Sequence, residues 1–277
     1  NDNARGHMLT LTTCQAHNTV PICRALAGYL SRVMGQEVRY LDDLSWQVAY
    51  ERVAAGTIDI AWICGRPYTQ LIDSGAAVSL LAAPVMAGER YDNRPIYFSD
   101  VVVRRDSAFT RFEDLRGAAW AYNEPGSQSG YHITRYHLAR VAGGGHFFGS
   151  VIGSGAHVKS LQMVLEGKVD ASAIDSTVLE WELTSDPALG DRLRVIEVLG
   201  PSPIPPLVVA SSEGLALLPG LREALLNLDA TDEGRAVLAM GRLSRFAAVT
   251  DGDYDTIRLM DEMSAGVDLT GLRETGY

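Results

Sequence analysis

The sequence predicts an α/β protein of two lobes, each a mainly parallel sheet flanked by helices, with two hinge crossings between the lobes. Three features carry that reading. Strand-like and helix-like segments alternate through residues 8–64, a second alternating run fills 117–175, and extended stretches lie between and after the two runs. At 277 residues the chain is too long for one small core and comfortable for two of about 100–150 residues each.

Taken in order, "MLTLTTC" (8–14) is a β-branched run. Residues 20–35 follow with Leu26, Leu30, Val33 and Met34 at helical spacing and Gly35 as the stop. "QEVRYL" reads as a strand, "SWQVAYERVAAG" as a helix and "TIDIAWIC" as a strand, an order that calls for right-handed crossovers. "RPIYFSDVVVRRDS" (94–107) is extended and marks the first crossing. The second run is "GAAWAY" (strand), 127–142 (helix), "HFFGSVI" (strand), "AHVKSLQMVLEG" (helix) and "VDASAID" (strand). "ERVAAGTIDIAWI" and "QMVLEGKVDASAI" share one pattern: a helix, a glycine, two residues, then an aspartate in an apolar strand. The return crossing lies in 192–214, where four prolines mark turns, and helices are expected over 218–228, 232–241 and 252–265. Lobe 1 is then 8–98 plus 204–277 and lobe 2 is 99–203. Residues 1–7, with "GHM" at Gly6–Met8, read as a tag or a disordered N-terminus.

Composition narrows the function. A net charge of −10 argues against a nucleic-acid surface. The longest apolar runs fall far short of the ~20 residues of a membrane span. Cys14, Cys23 and Cys64 form no CxxC pair and the six histidines are scattered, so neither a metal nor another cofactor is expected. There is no GxSxG, HExxH, P-loop or GxGxxG in context, and "AGGGHFF" (142–148) runs from helix to strand, opposite to a nucleotide loop. Cys14 with His17 nearby is the one nucleophile candidate, and a structural cysteine is the simpler reading.

The chemistry-bearing residues gather at strand-to-helix junctions. Ser127, Gln128, Ser129 and Gly130 open a helix directly after a strand, where backbone N–H groups have no intrahelical partner and the helix dipole is positive. Hydroxyls and an amide added there make an anion cradle, although Ser127 would serve equally as an N-cap. His157 opens the next helix beyond two glycines, with a charge tunable near neutral pH or a plain solvated position. Asp175 ends a strand and can orient a donor or bind an amine, while Asp59 and Asp170 read as structural. Trp46 can wall a ligand or cover core, and Arg66 and Tyr68 of "CGRPY" follow the third strand as rim candidates.

Three strings carry a resemblance: residues 97–138 ("YFSDVVVRRDS…NEPGSQSGYHITRYHL"), 153–176 ("GSGAHVKSLQMVLEGKVDASAIDS") and 29–68 ("YLSRVMG…TIDIAWICGRPY"). With these the chain resembles the phosphate, phosphite and phosphonate-binding proteins of ABC transporters over about residues 9–245. The resemblance implies a two-lobed type 2 periplasmic-binding fold that closes on an oxyanion in the interlobe cleft. It implies no catalysis, a permease partner in the membrane, a monomer, and a periplasmic or lipid-anchored protein (cytoplasmic if Met8 is a native start). Position by position, Ser127, Gln128 and Ser129 match the triplet that holds phosphonate oxygens, His157 the anion-binding histidine, Tyr97 the crossover tyrosine and Trp46 an aromatic contact. The sequence departs from the family at Gln128, where threonine is usual, at Arg66, which is not usual, and in "PSPIPPLVVA", which lacks an acidic residue for an amine. A ligand-sensing module, or an enzyme of the cofactor-precursor-synthase type, is the alternative on the same fold.

Overall fold

The computed structural model describes residues 7–141 and 146–269. Residues 1–6 of the tag-like terminus and 142–145 of the glycine-rich stretch lie outside the described residues. In chain order the elements begin β1 (Leu9–Thr13), α1 (Val20–Met34), β2 (Val38–Tyr40), α2 (Trp46–Ala54), β3 (Ile60–Trp62), α3 (Gly65–Asp73) and β4 (Ser79–Met86). Next come β5 (Ile96–Arg104), β6 (Ala119–Tyr122), α4 (Ile133–Val141), β7 (Ser150–Gly153), α5 (His157–Leu165), β8 (Ala171–Asp175), α6 (Ser176–Ser185) and α7 (Leu189–Arg192). The chain continues with β9 (Leu193–Pro203), β10 (Leu207–Val209), α8 (Ser212–Leu226), α9 (Asp232–Ala239), β11 (Leu243–Ala247) and α10 (Asp255–Met263).

The chain divides into two compact units. One holds residues 7–96 and Pro203–Tyr254; the other holds Tyr97–Ser202 and everything described from Asp255 onward. The tail therefore departs from the sequence expectation, which kept 204–277 in the first lobe. The reason is apolar burial: Met260, Val267 and Leu269 enter the same core as Trp120, Phe147 and Phe148 of the second unit. Arg135 of α4 ties the segment down by donating to the carbonyls of Ser264 (2.9 Å) and Val267 (2.5 Å).

In the first unit the sheet order is β11-β4-β10-β3-β1-β2, and in the second β7-β6-β8-β5-β9. Helical crossovers leave β1 parallel to β2 and β3, and β6 parallel to β7 and β8. Strands that arrive by other routes run the opposite way: β10 against β3 and β4, β11 against β4, and β5 against β8. Both sheets are therefore mixed rather than mainly parallel.

The repeated glycine-to-aspartate pattern is a bracing device used in both units. Gly56 and Gly167 end their helices at φ 68° and 69°, conformations that favour glycine. Three residues on, Asp59 accepts from the Thr10 N–H of β1 (2.7 Å), and Asp170 accepts from the Ala119 N–H of β6 (2.8 Å). Each carboxylate thus locks a helix–strand turn onto the neighbouring parallel strand of its own sheet.

Several helices depart from their sequence expectation. "CGRPY" does not stay a loop but opens α3. Helix α8 starts at Ser212 rather than near 218; Ser211 caps it by accepting from Gly214 N–H (2.8 Å), and Pro219 is tolerated inside it. Val33 of α1 is 51% exposed, so the buried stripe runs through Ile22, Leu26, Ala27 and Leu30 instead.

Candidate functional site

The predicted anion cradle sits in the second unit, where β6 gives way to a loop at Asn123. Pro125 and Gly126 turn the chain, and Ser127 follows as an extended N-cap at φ −75°, ψ 127°. The expected helix over 127–142 does not open as an α-helix. Gln128–His132 forms a π turn, closed by the His132 N–H donating to the Ser127 carbonyl (3.0 Å), and α4 proper starts only at Ile133. Such turns are wider than an α turn, uncommon, and frequent at functional sites. Ser127 Oγ accepts from the Gly130 N–H (3.1 Å), so the residue is a cap after all.

Around this turn the structure assembles four of the residues selected from sequence: Ser127, Ser129, Gly130 and His157. Ser129 Oγ lies 3.0 Å from His157 Nε2 and 3.5 Å from Ser127 Oγ. Gly130 is required by packing: a methyl group there would overlap Asn123 Oδ1 and lie 3.0 Å from His157 Cε1. The side chains of Ser127, Gln128, Ser129 and His157 are all buried, with Gln128 at 0% exposure and His157 at 6%.

Electrostatics differ from the sequence expectation for the histidine. Burial pushes His157 down to about 4, so the ring is neutral at physiological pH rather than poised to change charge. The cradle's donors are then hydroxyl, imidazole and backbone N–H groups, all neutral. His157 Nδ1, Gln128 Oε1 and Asn123 Oδ1 are buried without a hydrogen-bond partner among the described residues. Each such group carries a desolvation cost of about 1–3 kcal/mol.

The other candidates are placed differently. Tyr97 lies on β5, 1% exposed. Asp175 caps α6, accepting from the Thr177 N–H (2.8 Å) and Oγ1 (2.7 Å), and burial holds its carboxyl up to about 6. That is a capping geometry, not an open carboxylate awaiting an amine.

In the first unit, Trp46 opens α2 at 38% exposure and Arg66 is the second residue of α3, partly exposed. Arg66 is close enough to Tyr50 to work against the upward shift that burial and Cys14 give that phenol. Tyr68, expected on a rim, is instead 1% exposed; its hydroxyl donates to Asp251 (2.9 Å) and its ring meets Tyr254 edge-on at 4.9 Å. The amphipathic α3 turns its fourth residue into the core, and a loop reading could not show that.

Cys14, Cys23 and Cys64 form no disulfide, and burial raises the Cys23 thiol to about 12, which removes it as a nucleophile. His7, Asp59 and Glu213 come close enough to share an ion, but Thr10 and Ser211 already engage both oxygens of Asp59.

Sequence reasoning missed Asn123, Glu124 and Met260. Asn123 and Glu124 carry a local signal, being polar residues at the carboxyl end of β6; Met260 carries none. Burial pushes the Glu124 carboxyl up to about 7 from a usual value of 4.5. A carboxyl raised on folding gives stability that is fully present below 4.5 and is lost as pH rises through 7. Glu124→Gln should therefore raise the thermal midpoint at pH 8 and leave it nearly unchanged at pH 4, as read by scanning calorimetry against the unaltered protein at each pH. An equal effect at both pH values would contradict the assignment.

Two mixed α/β sheets, each flanked by helices, with a buried donor cluster at a strand-to-helix junction, are the build of periplasmic solute-binding proteins, and solved structures bear out the fold. One is a binding protein component of an ABC phosphonate transporter from Pseudomonas aeruginosa, with TM-score 0.78, 20% identity, and coverage of 93% of this chain and 86% of that one. Another is PhnD1 from Prochlorococcus marinus in complex with methylphosphonate, with TM-score 0.80, 19% identity, and coverage of 92% and 97%. The aliphatic sulphonate binding protein SsuA of Escherichia coli is more distant, with TM-score 0.61, 15% identity, and coverage of 94% and 91%.

The sequence profile described as "ABC transporter, phosphonate, periplasmic substrate-binding protein" matches residues 10–254. The chain belongs to this family. It is a solute-binding protein and not an enzyme, and the family implies a periplasmic location and an ABC permease as partner. Among the described residues no helix is long and apolar enough to cross a membrane.

Proposed function

We propose that this protein captures a small phosphonate-type oxyanion through the turn that Ser127, Ser129 and Gly130 form with His157. The observation that carries the reading is the contact of Ser129 Oγ with His157 Nε2 (3.0 Å) beside Ser127, at a helix start with its own N–H groups. Within the turn, Ser127 Oγ and the Ser127 carbonyl take the N–H groups of Gly130, Tyr131 and His132. The N–H groups of Gln128 and Ser129 precede them, in the position where a helix start has donors to offer an anion.

A tetrahedral oxyanion suits such a set, because several short neutral donors can each meet a separate oxygen. The neutral His157 favours an anion of low charge, since no imidazolium is present to offset a second negative charge. No bond is broken in this role: the protein binds as a monomer in the periplasm, free or lipid-anchored, and delivers the anion to the permease.

A thermal-shift screen with methylphosphonate, phosphite, phosphate, 2-aminoethylphosphonate, methanesulfonate and arginine tests the reading. Methylphosphonate or phosphite should raise the midpoint by mass action, with methanesulfonate and arginine weak. A midpoint raised only by methanesulfonate or arginine would reject the phosphonate assignment.

A further inference from the structure

Gln128 stands in the middle of the cradle triplet, yet its amide is engaged by a residue far along the chain. Gln128 is fully buried, and its Nε2 donates to Met260 Sδ on α10 at 3.2 Å. Met260 is also one wall of an open cleft of about 350 Å³ that Ile133, Tyr136, His137 and Leu199 share.

A further tie, through Arg135, joins the same turn to the same segment. Arg135 can only donate, so its contact with His132 Nδ1 (3.2 Å) makes that nitrogen an acceptor. The proton then sits on Nε2, which donates to the Pro125 carbonyl (2.7 Å) across the mouth of the turn. Arg135 itself is anchored on the Ser264 and Val267 carbonyls just beyond α10. A π turn is a sparsely used conformation that persists when its surroundings over-determine it.

We propose that Gln128 is a positioning residue. Paired with Met260, it fixes the π turn that presents Ser127 and Ser129 to the anion. This assigns the C-terminal helix a part in ligand binding and gives Gln128, expected from sequence to touch the ligand, a different task. The proposal rests on the reading of the turn as the anion site.

The test is calorimetric titration of methylphosphonate, phosphite and 2-aminoethylphosphonate into the full chain, its Gln128→Met and Met260→Leu variants, and the double variant. Both substitutions keep side-chain volume, so the fold should be retained. Each single change should weaken all the ligands the unaltered protein binds by a similar factor, about threefold to tenfold for one lost hydrogen bond. The ligands should keep their order, and the double variant should be no weaker than the weaker single, because both break one contact. Amides of Gln128–His132 should also exchange faster in Met260→Leu, a readout that serves if Gln128→Met does not fold. Reordering of the ligands by Gln128→Met, unchanged affinities in Met260→Leu, or losses that multiply in the double variant would each overturn the proposal. An unaltered protein that binds none of the three anions would overturn the anion-site reading first, and this proposal with it.

Discussion

Gly130→Ala should reduce phosphonate affinity by at least about tenfold and lower the thermal midpoint together. The added methyl group would overlap Asn123 Oδ1 and press on His157 Cε1 at 3.0 Å. Neither neighbour can yield cheaply. Asn123 is 9% exposed at the end of β6, and His157 is held by Ser129 at the first position of α5. Overpacking of this kind costs about 1–3 kcal/mol, and about 1.4 kcal/mol already corresponds to tenfold in a binding constant. The strain falls on His157 and the π turn, so it is felt in binding as well as in folding. Titration with methylphosphonate and a denaturation curve read the two effects; unaltered affinity in the Gly130→Ala variant would mean that the His157 side of the turn does not contact the ligand.

The combined Ser127→Ala and Ser129→Ala change should weaken binding by roughly tenfold or more while the chain stays folded. Two hydrogen bonds of about 1 kcal/mol each set that scale. The two serines do not act alike, however. Ser127 Oγ already caps the turn through Gly130 N–H, so its loss also costs about 0.5–2 kcal/mol of local stability. Ser129 Oγ is the partner of His157 Nε2, so its loss leaves a second ring nitrogen buried and unpaired beside Nδ1. Ser129→Ala should therefore lower the midpoint at least as much as Ser127→Ala, and should shift affinity more. Equal affinity for the double variant and the unaltered protein would remove the cradle.

Local patterns made much of this legible before any coordinates. Apolar spacing marked β1, α1, β2, α2 and β3 in place, because each buries a face whose period is written in consecutive residues. The aspartates of the repeated pattern were readable as structural, and both serve as braces. Ser127, Ser129 and His157 were legible as a group because each lies at a strand-to-helix junction, where chemistry and topology coincide.

What stayed hidden depends on distant contacts. The Gln128–Met260 contact was not legible, because Met260 stands 132 residues further along the chain. The tail was placed in the wrong unit for the same reason: Met260, Val267 and Leu269 are apolar, and nothing local says which core receives them. The neutral state of His157 follows from its burial, which no short motif encodes. Asp175 is a different case, since "Asp-Ser-Thr" before a helix is a local capping signal and Asp175 does cap α6.

Amide hydrogen exchange of the full chain with and without saturating methylphosphonate tests the central claim most directly. If the Ser127–His157 turn holds the anion, protection should appear at Gln128, Ser129 and Gly130 and at the start of α5, and Ser127→Ala with Ser129→Ala should reduce it at a methylphosphonate concentration that half-saturates the unaltered protein. Binding that leaves those amides unprotected, or protects only segments elsewhere in the chain, would contradict the account.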